Sequence, residues 1–291
     1  MKTVIGIPAF NEEKNIAKII IKLQKVADEI IVCNDGSSDL TGEIAEKLGA
    51  IVINHPKNLG YGAAIGSIFL KSKDIDADVL VTFDADGQHR LEDIESVLKP
   101  IKNNESDIVI GSRFLGNSES VPGYRKLGIK AITKISNLET DLKVTDSQSG
   151  FRAYNKKTIQ TLNISDRGMG VSTEILIKAS KLGLKISEVP IQIIYEGDTS
   201  THNPASHGIS VVMSTMKFIS IEHPLKFYGI PGTIFLIIGL FFTGWVVNEY
   251  VVSSNFPIHV ALIGVSTIIV GTMLAMAAIL LYSLVNVVRE K

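Results

Sequence analysis

The sequence predicts an α/β protein: a mostly parallel sheet with helices on both faces, followed by an interfacial helix and two transmembrane helices. Three observations predict it. Short apolar stretches alternate with helical segments up to about residue 112, with brief connections between them. Those stretches read apolar throughout rather than on one face, as strands do when a sheet is covered on both sides. Two long uncharged runs, 227–247 and 257–288, then close the chain, each longer than the ~20 residues that cross a hydrocarbon core.

The elements follow in order. "TVIGIPAF" (3–10) reads as a first strand, and "NEEKNIAKIIIKLQKVA" (11–27) as a helix with Asn11 as its N-cap and acids in the first turn. "EIIVCND" (29–35) is a second strand ending on Asp35, and "GSSDLTGEIAEKLGA" a turn and helix. "IVIN" (51–54) is a third strand, and "GYGAAIGSIFLKSK" a helix rich in small residues. "VLVTF" (79–83) is a buried strand, "LEDIESVLKPIK" a helix and "DIVIGS" (107–112) a strand. "VPGYRKLGIKAITKISNLET" reads as a basic amphipathic helix. "VTDSQSGFRAYNK" is a loop entering a short strand, and "VSTEILIKASKLG" a helix with Glu174 in its first turn. "KISEVPIQIIY" is a strand, and "EGDTSTHNPASHG" a polar loop. "ISVVMSTMKFISIEH" is a helix suited to the bilayer surface. The expected organisation is a catalytic domain over 1–207, an interfacial helix over 208–226 and a membrane anchor over 227–291, its spans near 227–247 and 258–288.

Bulk composition narrows the function. A net charge of −1 gives no electrostatic footprint for nucleic acid. The single cysteine, Cys33, sits in an apolar run and reads as a small core residue in a reducing compartment. The start "MKTVIGIPAF" lacks the pattern of a signal peptide. Lys217 and Lys226 precede the first span, Arg289 and Lys291 follow the second, and "NEYVVSSNF" between them has no Lys or Arg. Both ends are therefore expected in the cytoplasm, with the short loop outside. Gly239 and Gly264 fit helix contacts, including self-association of the chain, or lipid-facing positions equally well.

Ligands of parallel sheets sit beyond the carboxyl ends of the strands. Asp35, the pair Asp84 and Asp86, and Arg113 all fall at such ends. Two carboxylates one residue apart suit a hard divalent ion, Mg2+ or Mn2+, shared with substrate phosphates. Gln88 continues that spacing with an amide oxygen; a solvated turn is the plain alternative. Arg113 and Arg125 are candidate anion clamps, since a guanidinium matches phosphate with a two-pronged fork. His89, His202 and His207 match no zinc spacing and read as unrelated surface histidines. There is no G-x-x-x-x-G-K-[ST] loop, no G-x-G-x-x-G fingerprint and no G-x-S-x-G elbow.

Taken together, "IPAFNEEKNI", "CNDGSSD", "FDADGQH", "IGSRF", "DSQSGFRAY" and "STEILIKASKLGLKISEVPI" resemble the family 2 inverting glycosyltransferases of the GT-A fold. More narrowly they resemble the polyprenyl-phosphate group, the dolichyl-phosphate mannose and glucose synthases, over about residues 1–210. The resemblance implies that Pro8, Phe10, Glu12 and Asp35 hold the nucleotide. It implies that Asp84, Asp86 and Gln88 hold metal and diphosphate, Asp86 with Gln88 as the favoured direct ligands and Asp84 closer to nucleotide or sugar, with Ala85 counted among the donor-binding residues. It further implies that Arg113 and Arg125 hold the acceptor phosphate and that Glu174 lies on the acceptor side. Relatives carry Lys or Arg in the loop where this chain has "STHNPASHG", so His202 and His207 stand where cations reach the diphosphate.

The implied reaction moves a sugar from a nucleotide-sugar to a membrane polyprenyl or dolichyl phosphate, for glycan assembly such as protein glycosylation. UDP-glucose and UDP-N-acetylglucosamine are favoured over GDP-mannose, although Asp35 itself can accept from the imino group of uracil or from the edge of guanine. The acceptor phosphate has a second pKa of about 6 and needs no strong base. Three rivals are weaker. A processive synthase would show Q-x-x-R-W, whereas the single tryptophan, Trp245, lies in the first span. Transfer to a lipid hydroxyl such as diacylglycerol would need a base, for which Glu174 is the candidate. A non-catalytic nucleotide-sugar sensor would not need the full set of acids.

Overall fold

The computed structural model describes residues 1–85, 87, 89–115, 123–140, 142–192, 216, 220 and 223–289. Within helices, the side chains of 123–125, 127, 131, 135, 138–140 and 286–289 lie outside that description. The chain divides into two compact units, Met1–Ser214 and Thr215–Lys291.

The first unit is built on a sheet of seven strands: β1 (Thr3–Ala9), β2 (Glu29–Asn34), β3 (Ile51–Asn54), β4 (Val79–Thr82), β5 (Ile108–Ser112), β6 (Arg152–Asn155) and β7 (Ile186–Pro190). Their order across the sheet is β3-β2-β1-β4-β6-β5-β7. All pairings are parallel except those of β6, which runs antiparallel between β4 and β5. The helices are α1 (Glu13–Leu23), α2 (Thr41–Lys47), α3 (Tyr61–Asp74), α4 (Glu92–Lys102), α5 (Gly123–Thr140), α6 (Lys156–Thr161) and α7 (Val171–Lys181).

Strand periodicity sorts the core into two layers. Ile5, Ile7, Val32, Val81 and Phe83 point to one face, where α1 brings Ile16 and Ile20 and α4 brings Ile94 and Val97. Val4, Ile31, Cys33 and Leu80 point to the other, where α3 brings Ile65 and Ile68 and α7 brings Ile175 and Ala179. The apolar-throughout reading of the strands thus has its cause: each residue of β1 is buried, whichever way it points. Cys33 is fully buried, as expected, and burial pushes its thiol up to about 12.

One local expectation fails. Asn11 does not cap α1: the helix begins at Glu13 after Glu12, without a side-chain cap. Asn11 instead adopts a φ of 56° and its side-chain oxygen accepts from Ser38 N, 2.9 Å. The same residue type serves a left-handed turn as readily as a cap, because its short amide bonds locally to backbone.

In the second unit a single π-helical turn, Leu225–Gly229, runs into α8 (Ile230–Ser253), and α9 (Ile258–Arg289) returns. Leu225–Ser253 and Ile258–Val285 contain 18-residue stretches with mean hydropathies of 2.1 and 2.4, enough in length and composition to cross a membrane. Ser254, at φ 54°, ends α8 in a left-handed cap. Gly239 and Gly264 face one another across this hairpin: a Cβ on Gly239 would stand 3.0 Å from the Gly264 carbonyl oxygen. Gly232 and Gly271 meet likewise, 3.1 Å and 2.9 Å from each other's carbonyl oxygens. These glycines therefore serve contact between the two helices of one chain.

Candidate active site

The carboxyl ends of β2, β4 and β5 share one edge of the sheet, and each is followed within two residues by a charged one. After β2, Asp35 turns its side chain inward, 5% exposed. Its Oδ1 accepts from Leu59 N and its Oδ2 from Gly60 N, both at 2.9 Å. Its Oδ1 also meets His55 Nδ1 at 2.6 Å, and His55 Nε2 reaches Ser67 Oγ at 2.9 Å and Cys33 Sγ at 3.6 Å. Gly60 is needed there. It has φ 102°, and a Cβ would lie 2.3 Å from the Arg167 carbonyl oxygen.

After β4, Asp84 keeps 28% of its side chain exposed. Tyr61, the first residue of α3, donates its hydroxyl to Asp84 Oδ1 at 3.1 Å, and His89 Nε2 lies 3.3 Å from Oδ2. Burial pushes the Asp84 carboxyl up, but the hydrogen bond and charge of His89, the Tyr61 hydroxyl and the Arg113 charge outweigh it and hold the group below the usual carboxylate range. Burial and the Asp84 charge raise Tyr61 well above an ordinary phenol. Residues 59–61 therefore tie two strand ends together, two amides on Asp35 and the next hydroxyl on Asp84. Phe83 and Ala85 on either side of Asp84 are buried.

His89 is not a surface histidine. Its side chain is 6% exposed, stacked on Phe151 at 5.0 Å and set edge-on to Phe83 at 5.5 Å. The sequence showed a polar turn after a strand; it did not show that β6 would bring Phe151 over that turn. Gly150, just before β6, lies against Asp84: a Cβ there would be 2.7 Å from Asp84 Oδ2 and 2.5 Å from the Tyr61 hydroxyl.

After β5, Arg113 is gripped by Asp146, whose side chain is fully buried. Arg113 Nε donates to Oδ2 at 2.6 Å and Nη2 to Oδ1 at 2.7 Å, a two-pronged pair. Glu188 on β7 holds that loop, accepting from Thr145 N at 2.7 Å and Asp146 N at 3.0 Å. Arg152, 1% exposed, holds the next stretch: its guanidinium donates to the carbonyls of Ser147, Ser149 and Ser172 at 2.7, 2.8 and 3.0 Å. Residues 146–150 are thus fixed from both sides.

Glu174 is fully buried in the first turn of α7. It accepts from Ser165 N at 2.9 Å, Asp166 N at 2.8 Å and the Ser165 hydroxyl, and pairs with Lys178 Nζ at 2.6 Å. Burial raises its carboxyl, but Lys178 and the Ser165 and Asp166 donors bring it below the usual range. The loop it holds is the one whose Arg167 carbonyl accepts from Ala63 N, 3.2 Å, in the first turn of α3.

Of the other expected site residues, Pro8 is buried in β1 beside Cys33 of β2, and Phe10 is half-buried just beyond. Glu12 Oε2 accepts from Asn15 Nδ2 at 2.9 Å, and its amide donates to Thr41 Oγ1 at 2.8 Å. Arg125 lies on α5, its side chain outside the described residues. Asp86, Gln88, His202 and His207 lie outside the described residues altogether. Sequence reasoning missed His55, Tyr61, Asp146, Arg152 and Glu188. A histidine after a short strand and a tyrosine in a glycine-rich helix start carry no pattern; the "DSQSGFR" stretch was the one available signal.

Residues 4–162 match the family model "Glycosyl transferase family 2". The chain is 38% identical over 211 residues to the UDP-N-acetylglucosamine–dolichyl-phosphate N-acetylglucosaminyltransferase of Methanococcus voltae, covering 65% of this chain and 84% of that protein. It is 32% identical over 268 residues to the dolichol-phosphate mannosyltransferase of Pyrococcus furiosus, covering 86% and 71%. Among solved structures it resembles glucosyl-3-phosphoglycerate synthase from Mycobacterium tuberculosis, in complex with Mn2+, UDP and glucosyl-3-phosphoglycerate. That likeness has a TM-score of 0.60 at 20% identity, covering 75% of this chain and 79% of that one, and it carries the fold. With Asp35, Asp84 and Arg113 just beyond the ends of its parallel strands, the chain belongs to glycosyl transferase family 2.

Proposed function

We propose that this protein is an inverting, metal-dependent hexosyltransferase. It moves a sugar from a UDP-sugar, UDP-glucose or UDP-N-acetylglucosamine, to a membrane polyprenyl (dolichyl) phosphate. The observation that carries the reading is the part-exposed Asp84, fixed by Tyr61 and His89, on the same sheet edge as Asp35 and Arg113. The names of the two relatives support the acceptor, and the apolar hairpin keeps the chain where that acceptor resides.

Pro8, Phe10, Glu12 and Asp35 bind the nucleotide, with Ala85 alongside. Asp84 fits a metal-binding edge, being ionised and fixed on two sides while still reachable. Asp84, Asp86 and Gln88 would hold the divalent ion, Mg2+ or Mn2+, which would supply positive charge beside the departing diphosphate. His202 and His207 take the diphosphate side in place of the cations of relatives. Arg113, oriented by Asp146, and Arg125 hold the acceptor phosphate in line with the anomeric carbon. That phosphate is largely ionised at neutral pH, so attack needs no protein base. Glu174 has every role of a positioning group and none of a base, since protein donors already surround it. Transfer to a lipid hydroxyl loses its candidate base for the same reason.

The domain reading stands as part of this proposal: catalysis over 1–207, an interfacial helix over 208–226 and an anchor over 227–291. The flanking Lys217, Lys226, Arg289 and Lys291 support a cytoplasmic location for both ends of the anchor and for the catalytic domain. The test is transfer of radiolabelled sugar into organic-extractable lipid from UDP-glucose, UDP-N-acetylglucosamine or GDP-mannose. Polyprenyl phosphate and Mg2+ or Mn2+ are supplied, with Asp86→Ala alongside. A UDP-sugar labels a mild-acid-labile lipid and the variant loses it. Label in diacylglycerol, or none in lipid from any of the three donors, contradicts the reading.

A further inference from the structure

Asp35 is an acceptor whose capacity is nearly filled from behind. A carboxylate offers about four acceptor positions, two on each oxygen. Oδ1 receives the Leu59 amide at 2.9 Å and meets His55 Nδ1 at 2.6 Å; Oδ2 receives the Gly60 amide at 2.9 Å. His55 is itself fixed. Its ring is 9% exposed, and its far nitrogen meets Ser67 Oγ at 2.9 Å. Nδ1–H donates to the carboxylate while Nε2 shares a hydrogen bond with the Ser67 hydroxyl, and the ring cannot turn without losing both partners. The Cys33 thiol at 3.6 Å closes the same pocket. Among the described residues these are the partners of the carboxylate, which leaves one acceptor position, on Oδ2.

We propose that His55 is a positioning residue that sets the base preference of the donor site, by occupying Asp35 Oδ1 so that the carboxylate presents one acceptor position to the nucleotide. Uracil offers a single ring N–H flanked by two carbonyl oxygens. One acceptor matches it, and a second free carboxylate oxygen would face a carbonyl and repel it. Guanine offers a ring N–H beside an exocyclic amino group, a pair of donors that calls for two free oxygens. The choice between uracil and guanine that Asp35 leaves open by residue type is thereby decided for uracil. The inference rests on the reading of Asp35 as part of a nucleotide-sugar site.

The test is calorimetric binding of UDP and GDP, each with Mn2+, to the full-length protein and to His55→Phe, His55→Asn and Ser67→Ala, with thermal melts to establish that each is folded. The wild type binds UDP more than tenfold tighter than GDP. His55→Phe keeps a ring but removes the donor; UDP affinity falls about tenfold and the UDP-to-GDP ratio narrows by at least that factor. His55→Asn, whose amide returns an N–H near the place of Nδ1, recovers most of the ratio, which a merely space-filling role would not give. Ser67→Ala frees the far side of the ring and narrows the ratio in the same direction, and serves if His55→Phe does not fold. An unchanged ratio in folded His55→Phe or in Ser67→Ala overturns the role of His55 alone. A wild type that prefers GDP overturns the base preference and leaves sugar transfer standing. A wild type that binds neither diphosphate contradicts the nucleotide-sugar reading itself.

Discussion

Glu174 keeps its charge where water does not reach it, and the donors around it repay the loss of solvent. Its carboxyl is lower in the folded protein than in an unfolded chain, so the stabilisation is fully present above the unfolded value. It is lost as pH falls through the folded one. Glu174→Gln should therefore unfold more easily than wild type at pH 7, by about 2 kcal/mol for the charged hydrogen bonds removed. That gap should close as the pH falls below about 4.3, the ordinary glutamate value. Thermal or urea unfolding followed by circular dichroism from pH 7 to pH 3 reads it; a gap independent of pH would show that the charge is not what holds the loop. Glu174 was visible in the sequence as an acid in a first helical turn. Its partners were not, because Ser165 and Asp166 donate through backbone amides, which carry no residue signature. Asp35 and Asp84 were legible for the opposite reason: each is an acid ending an apolar run. His89 was misread because its burial depends on Phe151, 62 residues further along the chain.

At the level of elements, the departure from an all-parallel sheet matters most. β6 enters between β4 and β5 in the reverse sense, so its start, not its end, lies at the edge where Asp84 and Arg113 stand. That brings Gly150 against Asp84 and Tyr61. Gly150→Ala would place a methyl 2.5 Å from the Tyr61 hydroxyl and 2.7 Å from Asp84 Oδ2, forcing both to move. A displacement on the order of 1 Å in such a group costs about a hundredfold in turnover. We expect transfer to fall by about that factor in a variant that still folds by circular dichroism, in assays of the purified variant against wild type; retained activity would show that this edge tolerates the shift. The parallel strands were readable from alternation of strand and helix and from unbroken apolarity. The antiparallel insertion was not, since a strand of four residues, Arg152–Asn155, looks the same in either direction. The start of α1 was missed through Asn11, whose residue type suits cap and turn alike.

Over the whole molecule, two kinds of apolar sequence were legible for different reasons. Strands of four to seven residues bounded by turns fold into a sheet; runs of 29 and 28 residues that contain 18-residue stretches of mean hydropathy 2.1 and 2.4 cannot. What composition could not decide was whether the glycines of those runs face lipid or protein. In the hairpin, Gly271 has Leu236 N at 2.8 Å and the Gly232 carbonyl oxygen at 2.9 Å from where a Cβ would be, whereas Gly244 has nothing within 4 Å. Gly271→Leu should push the two helices apart and lower the melting midpoint in detergent, while Gly244→Leu should leave it unchanged. Equal effects of the two would contradict the hairpin. The central claim, however, concerns the bond that is made, and the structure of the lipid product tests it most directly. Proton and phosphorus NMR of the product formed from UDP-glucose, or from UDP-N-acetylglucosamine where that is the donor used, and polyprenyl phosphate should show a β-linked sugar whose anomeric proton couples to phosphorus. An α-linked sugar, or an anomeric proton with no phosphorus coupling, would contradict in-line attack by a lipid phosphate.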